Sequence, residues 1–369
     1  MDIFSKIEKP TLLLNKTTAI RNIRRMAKKA ADQGIRLRPH FKTHQSVGVG
    51  QWFRDEGISA ITVSSVDMAN YFQQAGWNDI LLAFPANWRQ VDAYNDLARQ
   101  VHLDLLVESP ETAAFLDDRL DQRTDVWIKI DVGAHRTGLD AADDEKVLEL
   151  AKAVSLAGNL SLRGLITHAG HTYGLKSSVD VSRVYHDSVR AMKRLKDFLT
   201  ANGFVALELS VGDTPGCSVC DDLGAVDEIR PGNFVFYDAE QYHWGNCQYQ
   251  DVAVALAVPV VAKHSERREV VIYGGAVHLS KDHWIQDGQD SYGDVAFPAY
   301  SGWGARIDGA RVARLSQEHG IVHFDGDEIK QVQVGDLLCI LPAHSCLTVS
   351  LLPYYLTLDG EVIKIMGCC

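Results

Sequence analysis

From about residue 17 to residue 235 the chain alternates short β-rich runs with amphipathic stretches, the order expected when parallel strands are joined by crossover helices. Eight strand candidates stand out: Ile35 to Arg38, Ala60 to Ser64, Ile80 to Phe84, Leu103 to Glu108, Val126 to Asp131, Leu162 to His168, Val205 to Ser210 and Glu228 to Phe236. Between the fifth and sixth, Val147, Leu148, Ala151, Val154 and Leu156 form a helical stripe. The acidic start Asp143-Asp144-Glu145 before it suits the positive helix N-terminus. Between the sixth and seventh, Val184, Tyr185, Met192, Leu195 and Leu199 recur at helical spacing, and Gly203 stands where a left-handed C-terminal cap is needed. Repeated βα units of this kind predict an α/β fold, a (β/α)8 barrel over 17–245.

Beyond residue 246 the texture changes to β-branched runs, Val252 to Val261, Glu269 to Tyr273, Leu337 to Leu341 and Glu361 to Ile365, separated by Gly, Asp and His turns. A mostly β domain is expected over 246–369, together with residues 1–16. A formal net charge of −11 opposes non-specific attraction to nucleic acid or anionic lipid. No apolar run reaches the roughly 18 residues of a membrane span. The first residues lack a basic region followed by an apolar stretch, so no membrane partner and a cytoplasmic location are expected. Seven cysteines, an odd number, do not resemble a disulfide framework, which leaves metal binding open to some of them.

A barrel of this kind carries its active site at the C-terminal ends of its strands, so the polar residues after each strand carry the candidate chemistry. After the first comes Lys42 between His40 and His44; after the fifth, His135 and Arg136; after the sixth, His168, His171 and Tyr173. A desolvated lysine near cationic groups can serve as the nucleophile of a Schiff base, whereas most lysines are simply solvated. After the seventh strand, Ser210, Gly212 and Thr214 open a small, hydroxyl-rich segment that runs to Ser218. With Gly232 and Asn233 after the eighth, it can offer backbone N–H groups to a phosphate; a tight turn has the same composition.

His344-Ser345-Cys346 is a second feature. On an alternating strand both outer side chains share one face, where imidazole and thiolate suit zinc by softness, although such a pair also arises from ordinary packing. Cys217 and Cys220 have zinc-like spacing but no companion pair and are read as incidental, and Cys368 and Cys369 as terminal thiols. His278, Lys281, Asp282 and His283 form a polar cluster that either lines a pocket or is a solvated loop.

Five ordered segments carry a family resemblance over nearly the whole chain. They are Arg38 to His44; Ile130-Asp131-Val132-Gly133 with Arg136-Thr137-Gly138; Gly232 to Asp238; Ser316 to Gly320; and Pro342 to Cys346. The chain resembles the fold-type III pyridoxal-phosphate enzymes of the D-serine dehydratase and D-threonine aldolase group, related more distantly to alanine racemase. The resemblance implies that Lys42 is the Schiff-base lysine, that Arg136 faces the phenolic oxygen of pyridoxal 5'-phosphate, and that Tyr173 lies near its pyridine nitrogen. It also implies a divalent metal at His344 and Cys346, Zn2+ in the first place with Mn2+ or Mg2+ as alternatives, and a homodimer.

The expected activity is that of a lyase on β-hydroxy D-amino acids, with Lys42 as the base at Cα and the metal polarising the β-hydroxyl, giving a keto acid and ammonia. Aldol cleavage to glycine and an aldehyde is the nearest alternative, with His168 or His171 as base. Racemisation is the next, with Tyr273 and Tyr292 as candidate second bases. A non-catalytic pyridoxal-phosphate carrier is disfavoured by the tail from 246 to 369.

Overall fold

The structure, a computed structural model, describes residues 3–286, 288–300 and 302–367; Cys368 and Cys369 lie outside the described residues. Backbone proximity gathers the chain into two compact units. One comprises Arg24–Lys42 and Phe53–Gly232; the other comprises the described residues through Ile23, Thr43–Trp52, and those from Asn233 onward.

The first unit is a parallel barrel. Its strands are β1 (Arg36–Leu37), β2 (Ala60–Val63), β3 (Asp79–Pro85), β4 (His102–Val107), β5 (Thr124–Asp131), β6 (Leu160–Thr167), β7 (Glu208–Val211) and β8 (Glu228–Ile229). They pair in the order β1-β8-β7-β6-β5-β4-β3-β2. Between β1 and β2 closure narrows to one parallel bridge, His40 with Thr62, and the Phe41 N–H donates to the Thr62 carbonyl at 2.9 Å. All four β2 residues are buried, as expected of parallel strands covered on both faces. Leu81, Leu106, Trp127 and Ile166 form a buried cluster across β3 to β6.

The helix Asp144–Leu156 starts with Asp143 capping the Lys146 N–H and buries Val147, Leu148, Leu150, Ala151 and Val154. Leu156, expected on that stripe, is 87% exposed because the helix ends there. Gly203 follows the helix Ser178–Ala201 at φ 95, the left-handed conformation that its place requires. β8 is shorter than the pattern suggests. Pro231 supplies no ladder N–H, and Asn233–Val235 turn into a 3-10 helix. β7 begins only at Glu208, and Val205, expected within it, is 76% exposed.

The second unit is mostly antiparallel. Its strands run in the order Glu269–Tyr273, His319–Phe324, Gly302–Leu315, Gly293–Ala299, Leu337–Pro342 and Val254–His264, and the last also pairs with the first. Thr11–Leu14 adds to this sheet beside Val254–His264, so the chain's first strand belongs with its last ones. No helix among the described residues is long and apolar enough to cross a membrane.

Candidate active site

Beyond the C-terminal ends of the barrel strands, positive charge accumulates around two neutral histidines. The Lys42 N–H donates to Nδ1 of His40 at 3.3 Å. Desolvation, followed by the charges of Lys42, Arg230, His168 and Arg136, holds the His40 pKa well below the usual histidine value. His168, after β6, is held low in the same way, by desolvation first and then by Lys42 and Arg136. Its Nδ1–H donates to the Gly212 carbonyl at 2.5 Å, which leaves the lone pair of the neutral ring on Nε2. Arg230 is buried, donates through Nε to the Ser210 hydroxyl at 2.7 Å and to the Thr167 carbonyl, and is pushed down to about 10 by burial.

Two residues at the end of β7 also have roles within the barrel. The Ser210 proton goes to Glu228 at 2.6 Å while its oxygen accepts from Arg230, so the hydroxyl serves the barrel interior. Gly212 is small because a Cβ would stand 2.7 Å from the Arg230 backbone nitrogen, a close approach of β7 to β8. Thr214 opens the helix Thr214–Val219, and its N–H donates to the Tyr173 hydroxyl at 3.2 Å. Asp213 caps that helix, accepting from the Gly216 N–H at 2.6 Å and from the Thr172 hydroxyl at 2.9 Å. Arg136 lies in the loop after β5, where Gly138 turns back at φ 107 with its Cα too close to the Ile130 backbone for a side chain. His171 lies in a groove of about 520 Å³ lined also by Asp131, His135, Asp187 and Arg194.

Lys129 was not singled out from the sequence, yet a lysine among Trp127, Ile128 and Ile130 in an otherwise buried strand is a visible signal. It is 7% exposed, donates to the Ile130 carbonyl at 2.9 Å, and is pushed down to about 8 by burial and then by Arg230 and Arg136. Lys42, Lys129, Arg136 and Arg230 therefore share one field. Such a site fits an anionic, phosphorylated cofactor with a reactive carbonyl: cations meet the phosphate and oxygens, and an amine is present to condense.

In the second unit, His344 and Cys346 do not lie on a strand. The strand Leu337–Pro342 ends first, His344 stands just before the helix Ser345–Ser350, and Cys346 sits in that helix's first turn. This corner nonetheless brings the two side chains within hydrogen-bonding reach. His344 Nδ1 lies 3.2 Å from the buried carboxylate of Asp238, and Cys346 Sγ lies 3.2 Å from the hydroxyl of Thr43, the residue that follows Lys42 in the chain. Asn233, expected to help cradle phosphate, directs its amide to Asp238 at 2.6 Å and to the Ser345 hydroxyl at 2.9 Å. The imidazole and thiol are a donor set that a zinc-like ion accepts.

Among the described residues, Asp79, His102 and Asp104 form another cluster of ligand-type atoms. Arg38 pairs with both carboxylates, and Arg163 holds Asp104 at 3.1 Å, so a cation placed there would meet two fixed guanidinium groups. The cluster belongs to an ion-pair network at the other end of the barrel.

Comparison with known proteins agrees with this architecture. A family model described as "Alanine racemase, N-terminal domain" matches residues 15–240, and one described as "Putative serine dehydratase domain" matches 253–358. The chain is 32% identical to the D-threo-3-hydroxyaspartate dehydratase of Delftia sp. (strain HT23), over 98% of this chain and 97% of that one. It is 26% identical to a D-serine dehydratase of Dictyostelium discoideum (98% and 95% covered) and 25% identical to a 3-hydroxy-D-aspartate aldolase of Paracoccus denitrificans (97% and 90%). The solved structure of the Delftia dehydratase superposes with a TM-score of 0.91 at 29% identity, covering 99% of each chain. Two of its mutants have also been solved, a histidine-to-alanine replacement and, in metal-free form, a cysteine-to-alanine replacement two residues further on. The chain belongs to the fold-type III pyridoxal-phosphate family of the D-serine dehydratases, hydroxyaspartate dehydratases and aldolases, and D-threonine aldolases, and is a lyase with an alanine-racemase-like barrel.

Proposed function

We propose that this protein eliminates water from β-hydroxy D-amino acids, converting D-serine to pyruvate and ammonia, or a 3-hydroxy-D-aspartate to oxaloacetate and ammonia. When bound, pyridoxal phosphate supplies an electron sink at Cα, and a divalent metal supplies a Lewis acid for the β-hydroxyl. Lys42 would hold the cofactor, and its Nζ would be the base that takes the Cα proton. Arg136 and Arg230 add positive charge for bound anionic oxygens, and the loop at Gly212 and Asp213, with Gly232, offers backbone N–H groups to the phosphate. Tyr173 orients that loop through its bond to Thr214. His168, neutral and tied to Gly212, keeps an Nε2 lone pair for proton relay. His344 and Cys346 hold the metal.

The observation that carries elimination is the histidine and cysteine at a strand-to-helix corner. They have the same residue types and spacing as the pair replaced in the mutants of the Delftia dehydratase, and racemisation needs no such centre. Aldol cleavage stands second, because relatives at similar identity are aldolases.

A product assay tests the reading. The cofactor-loaded enzyme is given D-serine, D-threonine, and D-threo- and D-erythro-3-hydroxyaspartate, with Zn2+, Mn2+ or Mg2+ and with chelator. Keto acid and ammonia, lost on chelation, are expected. Glycine with an aldehyde as the dominant output would sink elimination, and chelator-resistant inversion at Cα would favour a racemase.

A further inference from the structure

The carboxylate behind His344 has a division of labour between its two oxygens. Asp238 is fully buried and stands at the start of the short helix Ala239–His243, and its Oδ1 accepts the Gln241 N–H at 3.1 Å, an ordinary helix cap. Oδ2 takes no part in the cap. It faces His344 Nδ1 at 3.2 Å and accepts from the Ser345 N–H at 3.0 Å and from the Asn233 amide at 2.6 Å. The backbone is bent to bring it there. Tyr237, the preceding residue, is buried at φ 48, a conformation that a residue with a side chain adopts only when its surroundings enforce it.

We propose that Asp238 is the positioning residue of the metal centre, fixing His344 by its Nδ1–H so that Nε2 is the nitrogen presented to the ion. The inference rests on the reading of His344 and Cys346 as metal ligands. An ionised carboxylate can only accept hydrogen bonds, so the nitrogen that faces it must carry the proton. The other nitrogen then keeps its lone pair. A carboxylate behind a ligating imidazole fixes the tautomer, restrains ring rotation and makes the ligand more basic. Asn233 and Ser345 hold Oδ2 in place by donating to it.

The test measures metal affinity in the cofactor-loaded enzyme, stripped by chelator and titrated with Zn2+ against a competing chelating dye. Co2+ serves as a spectroscopic substitute. Asp238→Asn keeps a capping oxygen but replaces the acceptor facing His344 with an amide. It should weaken Zn2+ binding about 10- to 100-fold, the usual loss when such a partner is removed. The Co2+ d–d bands should shift while the cobalt–thiolate band of Cys346 persists. Asp238→Ser, which also preserves the cap, should give the same loss and serves if the Asn variant does not fold. Ser345→Ala removes a neighbouring hydroxyl but leaves the His344–Asp238 contact, and should change affinity by less than about threefold. Equal weakening by Ser345→Ala would overturn the proposal, because the effect would then be general loosening of the corner. His344→Ala separates the two levels. If it binds Zn2+ as the unaltered protein does, the metal reading itself fails; if it loses the ion while Asp238→Asn keeps it, only the role of Asp238 fails.

Discussion

The two ends of the barrel solve opposite electrostatic problems. At the N-terminal ends of the strands, Arg36, Arg38 and Arg163 interlock with Asp79, Asp104, Glu208 and Glu228, and His102 bridges Asp79 and Asp125. Every charge there meets its opposite. At the C-terminal ends, Lys129 and Arg230 donate, among the described residues, to carbonyl and hydroxyl oxygens and to no carboxylate, although Glu108 and Asp131 act on Lys129 and Glu228 and Asp213 on Arg230 through charge. Asp131 accepts the N–H groups of Gly133, Ala134 and His135, and Asp213, pushed up to about 6 by burial, caps a helix. Uncompensated positive charge costs stability unless a ligand neutralises it. One end is held by paired charges; the other gathers cations where the cofactor is proposed to bind.

The sharpest break in this comparison is Lys42→Ala. It should abolish the visible absorbance of the lysine-bound cofactor and with it product formation, because no other residue is proposed to condense with the carbonyl. An unchanged spectrum would reject the central assignment. The opposite end should respond to Asp104→Ala in stability instead. Asp104 is fully buried beneath Arg38 and Arg163, and removing it takes the buried partner from both, leaving Arg38 with Asp79 and Arg163 with Glu208, a loss on the order of 3 kcal/mol. Thermal and denaturant unfolding would measure it. A change below about 1 kcal/mol would mean that solvent already screens the network.

A smaller effect separates the ends by pH. His102 is raised to about 10, chiefly by its hydrogen bonds with Asp125 and Asp79. A group whose folded pKa lies above its unfolded value stabilises fully below the unfolded value, near 6.5, and loses that contribution as the pH rises through about 10. The melting temperature should therefore fall between roughly pH 7 and 10, with a slope that His102→Gln removes. Asp125 is held below its usual value, mainly by the same His102 bond, so its contribution is lost in acid, as the pH falls below about 4. Because the His102 ring is nearly half exposed, the slope will be shallow. A slope that persists in the variant would place the titrating group elsewhere.

How much of this was readable beforehand depends on how local each cause is. The eight strands were legible because burial on both faces leaves runs such as Ala60–Val63 uniformly apolar or β-branched. The end of β8 was not, since Phe234 to Phe236 is equally apolar, and Pro231 ends the strand by a missing N–H, not by polarity. His344 and Cys346 were found by residue type, but the strand geometry expected for them was replaced by the start of a helix. Asp238 lay in a recognisable segment, yet its bond to Ser345 spans 107 residues and has no local signature. Ser210 looked like a phosphate hydroxyl, because nothing in the sequence shows Glu228 and Arg230 on either side of it.

The mildest expected effect concerns the two histidines that the sequence offered as equals. His168 shares the field of Lys42, Arg136 and Arg230 and is tied to Gly212, so its replacement by Asn should lower kcat/KM about 10²- to 10⁴-fold if it relays a proton. His171 has Nδ1 buried without a hydrogen-bond partner among the described residues, and its Nε2 lies 3.8 Å from where a Cβ of Gly133 would stand. It belongs to the groove beside the loop after β5. His171 is not among the main charges acting on His40 or His168, so His171→Ala should change the rate only through packing and leave kcat/KM within about twofold. Steady-state rates on the preferred substrate decide the matter. A loss of two orders of magnitude for His171→Ala would move that histidine into the reacting set and extend the functional end of the barrel to the groove.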